Sequence, residues 1–260
     1  MFTDIHCHLL PEIDDGSSSL PESLAMARMA VADGVETVVV TPHQLGSFGK
    51  NRGDEIRRRT RELQTALEQA AIPLKLLPGA DVRIEDSMLE RIRSGDVLSL
   101  GDRGKHVLLE LPHELYFPME PVLEGLRSMG MVGVLSHPER NEGILRDPQI
   151  AARLVDLGCL MQVTAGSLTG TFGPDCQTMA EGMLAEGLVH FIATDAHGIH
   201  RRRPRFLPAF DRVADLVGAD VGEMICCELP AAVAAGVETP VGRLPARRPR
   251  RRWFQRQFAG

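Results

Sequence analysis

Short apolar runs alternate with longer segments of helical period along most of this chain, and glycine repeatedly marks the step from helix back to apolar run. This repeat limits the fold more than any other feature. Residues 35–41 (VETVVVT) form a continuous apolar run, the pattern of a strand covered on both faces. Residues 74–79, 106–112, 131–137, 159–164 and 188–195 read in the same way, and residues 2–6 form a shorter first member. Helical patterns fill residues 20–33, 54–71, 121–129, 148–157 and 175–186. Gly34, Gly130, Gly158 and Gly187 directly follow helical segments, as C-terminal caps do. This is the grammar of parallel βαβ units, about seven of them before Arg202. A doubly wound open sheet shares that grammar with a barrel, so periodicity alone does not choose between them.

Polar residues at the ends of the apolar runs do choose. His6 and His8 close the first, His43 follows the second, and Asp81 follows the third. Glu110 lies in the fourth, His137 closes the fifth, and Asp195 and His197 close the seventh. In a barrel the C-terminal strand ends converge on one face, whereas an open sheet spreads them along an edge. The expected fold is therefore α/β, a single-domain distorted (β/α)7 TIM-like barrel over residues 1–242. The chain's 260 residues suffice for one such domain.

The same residues suggest a metal site. His6-x-His8 places two imidazoles on one face of a strand, and Asp195-x-His197 repeats the spacing. Glu110 is an ionisable group inside an apolar run, which needs a cation or donors to offset its desolvation. Each residue alone could be an ordinary polar strand terminus; their recurrence after nearly every strand argues for shared ligation. Mixed imidazole and carboxylate donors suit Mn, Fe or Zn better than Ca. Arg140, Arg202, Arg203 and Arg83 lie near these positions, and a guanidinium fork suits phosphate oxygens. The run Arg201, Arg202, Arg203 reads otherwise as a solvated basic stretch, from which at most one enters the site. Residues 164–173 (TAGSLTGTFG) form a small Gly-rich segment, read either as an anion cradle or as a plain loop leading to a helix.

In order, DIHCH, IDDG, TPH, GADVR, LLELP, SHPERN, VTAGSLTGTFG and TDAH resemble the PHP superfamily. More narrowly they resemble the bacterial manganese-dependent protein-tyrosine phosphatases of capsule and exopolysaccharide loci, over roughly residues 2–230. The resemblance implies the PHP fold and a multinuclear site of two or three ions, most simply Mn2+ with Fe or Zn as alternatives. It assigns metal binding to His6, His8, His43, Asp81, Glu110, His137, Asp195 and His197. Phosphate contacts fall to Arg140 and Arg202, and a supporting or proton-transfer role to Asp15. It implies a phosphotyrosine protein substrate, a membrane-associated tyrosine kinase of polysaccharide synthesis or export. The sequence departs from the family pattern in carrying Asp81 where Glu is usual, Gln44 where a second histidine is usual after His43, and Gly198 where Asn is usual. Rival readings are a PHP phosphatase for a small ester such as histidinol phosphate, a metal-dependent amidohydrolase, and a non-enzymatic binding protein.

Charge and cysteine content narrow the partners. Residues 243–260 hold seven arginines and no acid, and without them 22 basic residues face 35 acidic ones, a net charge of −13. An acidic body is a poor match for nucleic acid. The tail reads as a basic, flexible end, with weak contact to an anionic membrane surface as the competing idea. Five cysteines without a CxxC pair fit reduced thiols. Cys7, between two histidines, is expected to be buried and to face away from them. The N-terminus lacks the basic start and apolar core of a signal peptide, so a cytoplasmic protein is expected, with the inner membrane face as an alternative address.

Overall fold

The computed structural model describes residues 1–245. Nine strands run in chain order: β1 (Phe2–Cys7), β2 (Val35–Val40), β3 (His43–Gln44), β4 (Lys75–Pro78), β5 (Asp81–Arg83), β6 (His106–Glu110), β7 (Val132–Ser136), β8 (Leu160–Thr164) and β9 (Phe191–Ala193). They form two sheets, β1-β2-β4 and β3-β5-β6-β7-β8-β9, with every pair parallel. The sheets are nearly continuous. Only Thr41 and Pro42 separate β2 from β3, and only Gly79 and Ala80 separate β4 from β5. Proline has no N–H to give to a ladder, and Gly79 lets Val39 and the Leu100 backbone close in where a Cβ would lie 2.7 Å from Val39 Cγ1.

The outer ends also meet. Asp195 N–H donates to His6 O at 2.7 Å and His8 N–H to Ala196 O at 2.9 Å, with Cys7 and Ala196 in a parallel bridge. Asp4 reinforces this seam, its carboxylate accepting from the Thr194 N–H at 3.0 Å and from the Thr194 hydroxyl. Burial pushes the Asp4 carboxyl up to about 6 despite these bonds.

The helical patterns become helices with bounds within a residue or two of expectation. Residues Leu20–Ala32 form α1, which Ser19 caps by accepting from Glu22 N–H, and which turns Met26, Ala27 and Ala30 inward. Gly53–Gln69 forms α2, burying Ile56, Leu63 and Leu67 four or seven residues apart. The apolar strands supply the rest of the core, including Val38, Val39, Val107, Leu108, Leu109 and Ile192. β9 is shorter than expected, because residues 188–190 lie outside the ladder and His190 accepts from Met161 N–H.

Past Arg202 the sequence offered no strand–helix reading. There the chain forms helices Leu207–Val217, Ala219–Glu223 and Leu229–Ala235, the last two joined by a π-helical turn, Met224–Glu228. Phe206 stacks on Phe2 with ring centroids 4.7 Å apart, covering the start of β1. The expected boundary at residue 242 is not abrupt: Leu244 is buried and donates to Gly187 O, and Arg243 reaches Asp156 at 3.4 Å. Residues 246–260, on which the flexible-tail and membrane-contact expectations fall, lie outside the described residues. Among the described residues no helix is long and apolar enough to cross a membrane.

Candidate metal centre

All eight residues expected to bind metal gather where the strands end. His6 Nε2 lies 3.2 Å from His8 Nε2, 3.4 Å from Asp81 Oδ2 and 3.2 Å from Asp195 Oδ1. His43 Nδ1 lies 3.5 Å from Asp81 Oδ2 and 3.6 Å from Glu110 Oε2. Four overlapping groups have donor atoms close enough to share an ion: His8 with Asp15, His43 and His197; His6 with His8 and Asp81; His6 with His137 and Asp195; and His43 with Asp81 and Glu110. Asp15 thus enters the donor set itself, rather than only supporting it.

The outer hydrogen bonds set the tautomers. His6 Nδ1 lies 2.8 Å from Gln162 Oε1, which can only accept, so Nδ1 carries the proton and the Nε2 lone pair faces the cluster. His8 Nδ1 donates to Asp14 Oδ2 at 2.8 Å, with the same result. His197 Nδ1 donates to the Asp195 carbonyl at 2.9 Å, again freeing Nε2. This is how metal-ligating histidines are oriented in proteins. Asp14 also accepts from His43 N–H and Gly16 N–H, so one loop carboxylate fixes two ligand-bearing segments.

Among the described residues several inward-facing atoms have no hydrogen-bond partner: both Asp81 carboxylate oxygens, Asp195 Oδ1 and His197 Nε2, all buried. Unpartnered buried acceptors converging on one point are costly unless a cation sits among them, so the donor set fits a multinuclear metal site. Electrostatics agree. Burial opposes charge on His6 and His43, but Asp195 and Asp81 carry His6 up to about 9, and Asp15, Asp81 and Glu110 carry His43 to about 9. Burial would raise Asp81 as well, yet His6 and His43 hold it below the usual carboxylate range. Burial and the neighbouring Asp81 charge raise Glu110. Burial lowers His197 to about 4.

Two guanidiniums close one side. Arg140 and Arg202 both donate to Asp195 Oδ2, leaving Oδ1 for the cluster. Arg140 rests on the Phe172 ring, 4.3 Å from its centroid. Arg203 does not enter: it is exposed and donates to His200 O. Arg83 stands beside Glu110 at 3.5 Å and donates to Leu111 O. His137, Asp195 and Arg202 all have positive φ, at 36°, 50° and 49°, a backbone region that non-glycine residues occupy at a cost and that clusters at functional sites.

The SHPERN motif explains its own composition. His137 joins the cluster and Arg140 the rim. Glu139 is buried and accepts from Thr164 N–H and the Ser167 hydroxyl, pinning the Gly-rich segment. Asn141 caps Glu142–Arg146 and donates to Pro112 O and Leu115 O. Gln44 turns away from the cluster and bonds the backbone of Asn51, Asp96 and Leu98. Cys7 is buried as expected, and burial raises its thiol well above the ordinary range. Sequence reasoning passed over Asp14, Gln162 and Asp4. The doubled acid of IDDG was the available signal for Asp14; a lone glutamine in a strand gave none for Gln162.

A family model described as capsular polysaccharide synthesis, CpsB/CapC, matches residues 2–235. The tyrosine-protein phosphatase YwqE of Bacillus subtilis (strain 168) is 36% identical over 201 residues, covering 76% of this chain and 78% of that protein. The tyrosine-protein phosphatase CpsB of Streptococcus pneumoniae is 26% identical over 233 residues, covering 87% of this chain and 96% of that one. A solved structure from work on YwqE and CpsB, described there as unique metal-dependent tyrosine phosphatases, superposes with a TM-score of 0.88 at 31% identity over 96% of this chain and 100% of its own.

Proposed function

The chain belongs to the CpsB/CapC family of capsular polysaccharide synthesis, and on that premise we propose that it is a metal-dependent protein-tyrosine phosphatase. The observation that carries this reading is the set of buried, unpartnered acceptors of Asp81, Asp195 and His197 beside two guanidiniums that share Asp195. Eight residues would hold the ions: His6, His8, His43, Asp81, Glu110, His137, Asp195 and His197, with Asp15 as a ninth donor. Mixed imidazole and carboxylate donors suit Mn, Fe or Zn; the choice of manganese, as two or three ions, follows the family resemblance. When bound, the ions supply Lewis-acid charge to the phosphoryl group and acidify coordinated water.

The protein's own groups do the rest. Arg140 and Arg202 present N–H donors to the equatorial phosphoryl oxygens, where charge must be balanced as the ester bond breaks. Asp195 holds both guanidiniums in place, and Phe172 supports Arg140 from behind. The leaving phenolate has a conjugate acid of pKa ~10, so it departs with less proton assistance than an alkoxide. Asp15 is ill suited to give such a proton, because the His197 and His43 rings beside it keep its carboxyl well below the usual range. Neither a cysteine nor a serine nucleophile is called for, and the buried Cys7 thiol is far from ionising.

In the same reading the nine strands are seven tracks of a distorted (β/α)7 barrel over residues 1–242, with β2 and β3 as one track, β4 and β5 as another, and the β1–β9 seam as the closure. The protein acts in the cytoplasm on a membrane-associated tyrosine kinase of polysaccharide synthesis or export.

The deciding experiment uses metal-stripped protein on a phosphotyrosine peptide, with and without manganese, beside a phosphoserine peptide and a His6→Ala/His8→Ala variant. Manganese-dependent phosphate release, selective for phosphotyrosine and lost in the variant, is expected. Release only from a small ester such as histidinol phosphate would overturn the protein substrate.

A further inference from the structure

Beside the metal cluster lies a second cavity of about 790 Å³ whose lining is at odds with the charge of the chain. Arg201, Arg202, Arg203 and Arg205 line it with His200, Thr169 and Thr171, and among the described residues no carboxylate does. The body is strongly acidic, and several of its other arginines are paired: Arg52 with Asp96, Arg58 with Glu55, Arg153 with Asp147 and Arg212 with Glu181. Arg201, Arg203 and Arg205 are exposed, and none forms an ion pair among the described residues. Three unpaired cations gathered at one cavity repel one another, an arrangement that an incoming anion would relieve.

The cavity adjoins the reaction site. Arg202 lines both: one terminal nitrogen bonds Asp195, while its buried Nε has no partner. Phe172, which carries Arg140, forms part of the wall. The Gly-rich segment supplies the opposite side through Gly166, Thr169 and Thr171, held by Glu139. A phosphotyrosine placed against Arg140 and Arg202 would direct one flank of its peptide along this cavity.

Resting on the phosphatase reading above, we propose that this cavity is a specificity subsite for an anionic side chain, carboxylate or phosphoryl, flanking the scissile phosphotyrosine. Arg201, Arg203 and Arg205 bind that flank, and Thr171 adds a hydroxyl donor. The enzyme thereby prefers phosphotyrosine set among acidic or further phosphorylated residues.

Three phosphotyrosine peptides test this on the manganese-loaded full chain: one with uncharged flanks, one with Asp and Glu on both sides within a few residues, and one with a second phosphotyrosine at that spacing. The anionic peptides are expected to show about tenfold higher kcat/KM, carried by KM, and the advantage should shrink as salt rises. In R201Q/R203Q/R205Q the ratio of anionic to neutral peptide should fall to within about twofold of one. A ratio near one in the unaltered protein, or one insensitive to salt, overturns the subsite even if the triple variant does not fold. An advantage confined to the doubly phosphorylated peptide assigns the phosphoryl group as ligand; an equal one for both assigns charge alone. Failure to hydrolyse any of the three peptides would instead overturn the phosphatase reading.

Discussion

Asp195 concentrates the chemistry of the site in one side chain. Its Oδ1 faces the histidines and its Oδ2 takes both arginines, so loss of an arginine is felt by phosphate and loss of the carboxylate by everything. Arg140→Ala is expected to lower kcat by about 10²–10³-fold, the scale for removing one charge-stabilising donor. Bound metal should stay at the level of the unaltered protein; elemental analysis beside turnover checks both. Asp14→Asn acts one layer further out. The amide can turn its oxygen to His8 only by aiming its NH2 at Gly16 N–H, so the imidazole is held less firmly, and metal affinity should drop about 10–100-fold in a competition titration with a chelator. The candidate ligands were legible in the sequence because imidazoles and carboxylates at the ends of apolar runs break a simple pattern. Asp14 and Gln162 were not, since what distinguishes them is the ring nitrogen each one faces, and no spacing encodes that.

At the level of elements, strands and helices were legible because a strand covered on both faces reads as an unbroken apolar run, and helix burial imposes a period of 3.6. The interruptions after β2 and β4 were not: the apolar runs end at Thr41 and Gly79, and the short ladders His43–Gln44 and Asp81–Arg83 that resume beyond them carry too few residues, several of them polar, to show a strand pattern. The helices after Arg202 escaped because no strand alternates with them. The loop between β1 and α1 offers a sharp test of how closely elements must fit. A Cβ on Gly16 would lie 2.4 Å from His8 O and 2.5 Å from His8 Cβ, and neither atom can swing aside. Gly16→Ala should destabilise the fold by about 1–3 kcal/mol, as overpacking does, and displace His8 enough to weaken metal uptake. Denaturant unfolding of the metal-free variant and a metal titration read the two effects separately.

On the scale of the whole molecule, proton binding and metal binding are expected to be coupled. In the metal-free protein His6 and His43 are raised from 6.5 to about 9. Their protonated forms therefore stabilise the fold fully below about pH 6.5, and this contribution fades as the pH rises through about 9. The melting temperature of stripped protein should fall across that window, while the metal-loaded protein, in which those rings cannot be protonated, should hold steady. Adding manganese near neutral pH should release protons, seen as a binding enthalpy that varies with the ionisation enthalpy of the buffer. The seam joining β1 to the end of β9 has a consequence for how the chain is made. Six of the eight expected ligands lie within the first 137 residues, yet β1 gains its neighbour on that side only when Thr194, Asp195 and Ala196 have been synthesised. Contacts spanning nearly the whole sequence form late. A nascent polypeptide that stops short of Thr194 carries neither Asp195 nor His197 and is expected to be catalytically silent, so a message cut short should yield an inert fragment rather than a working hydrolase.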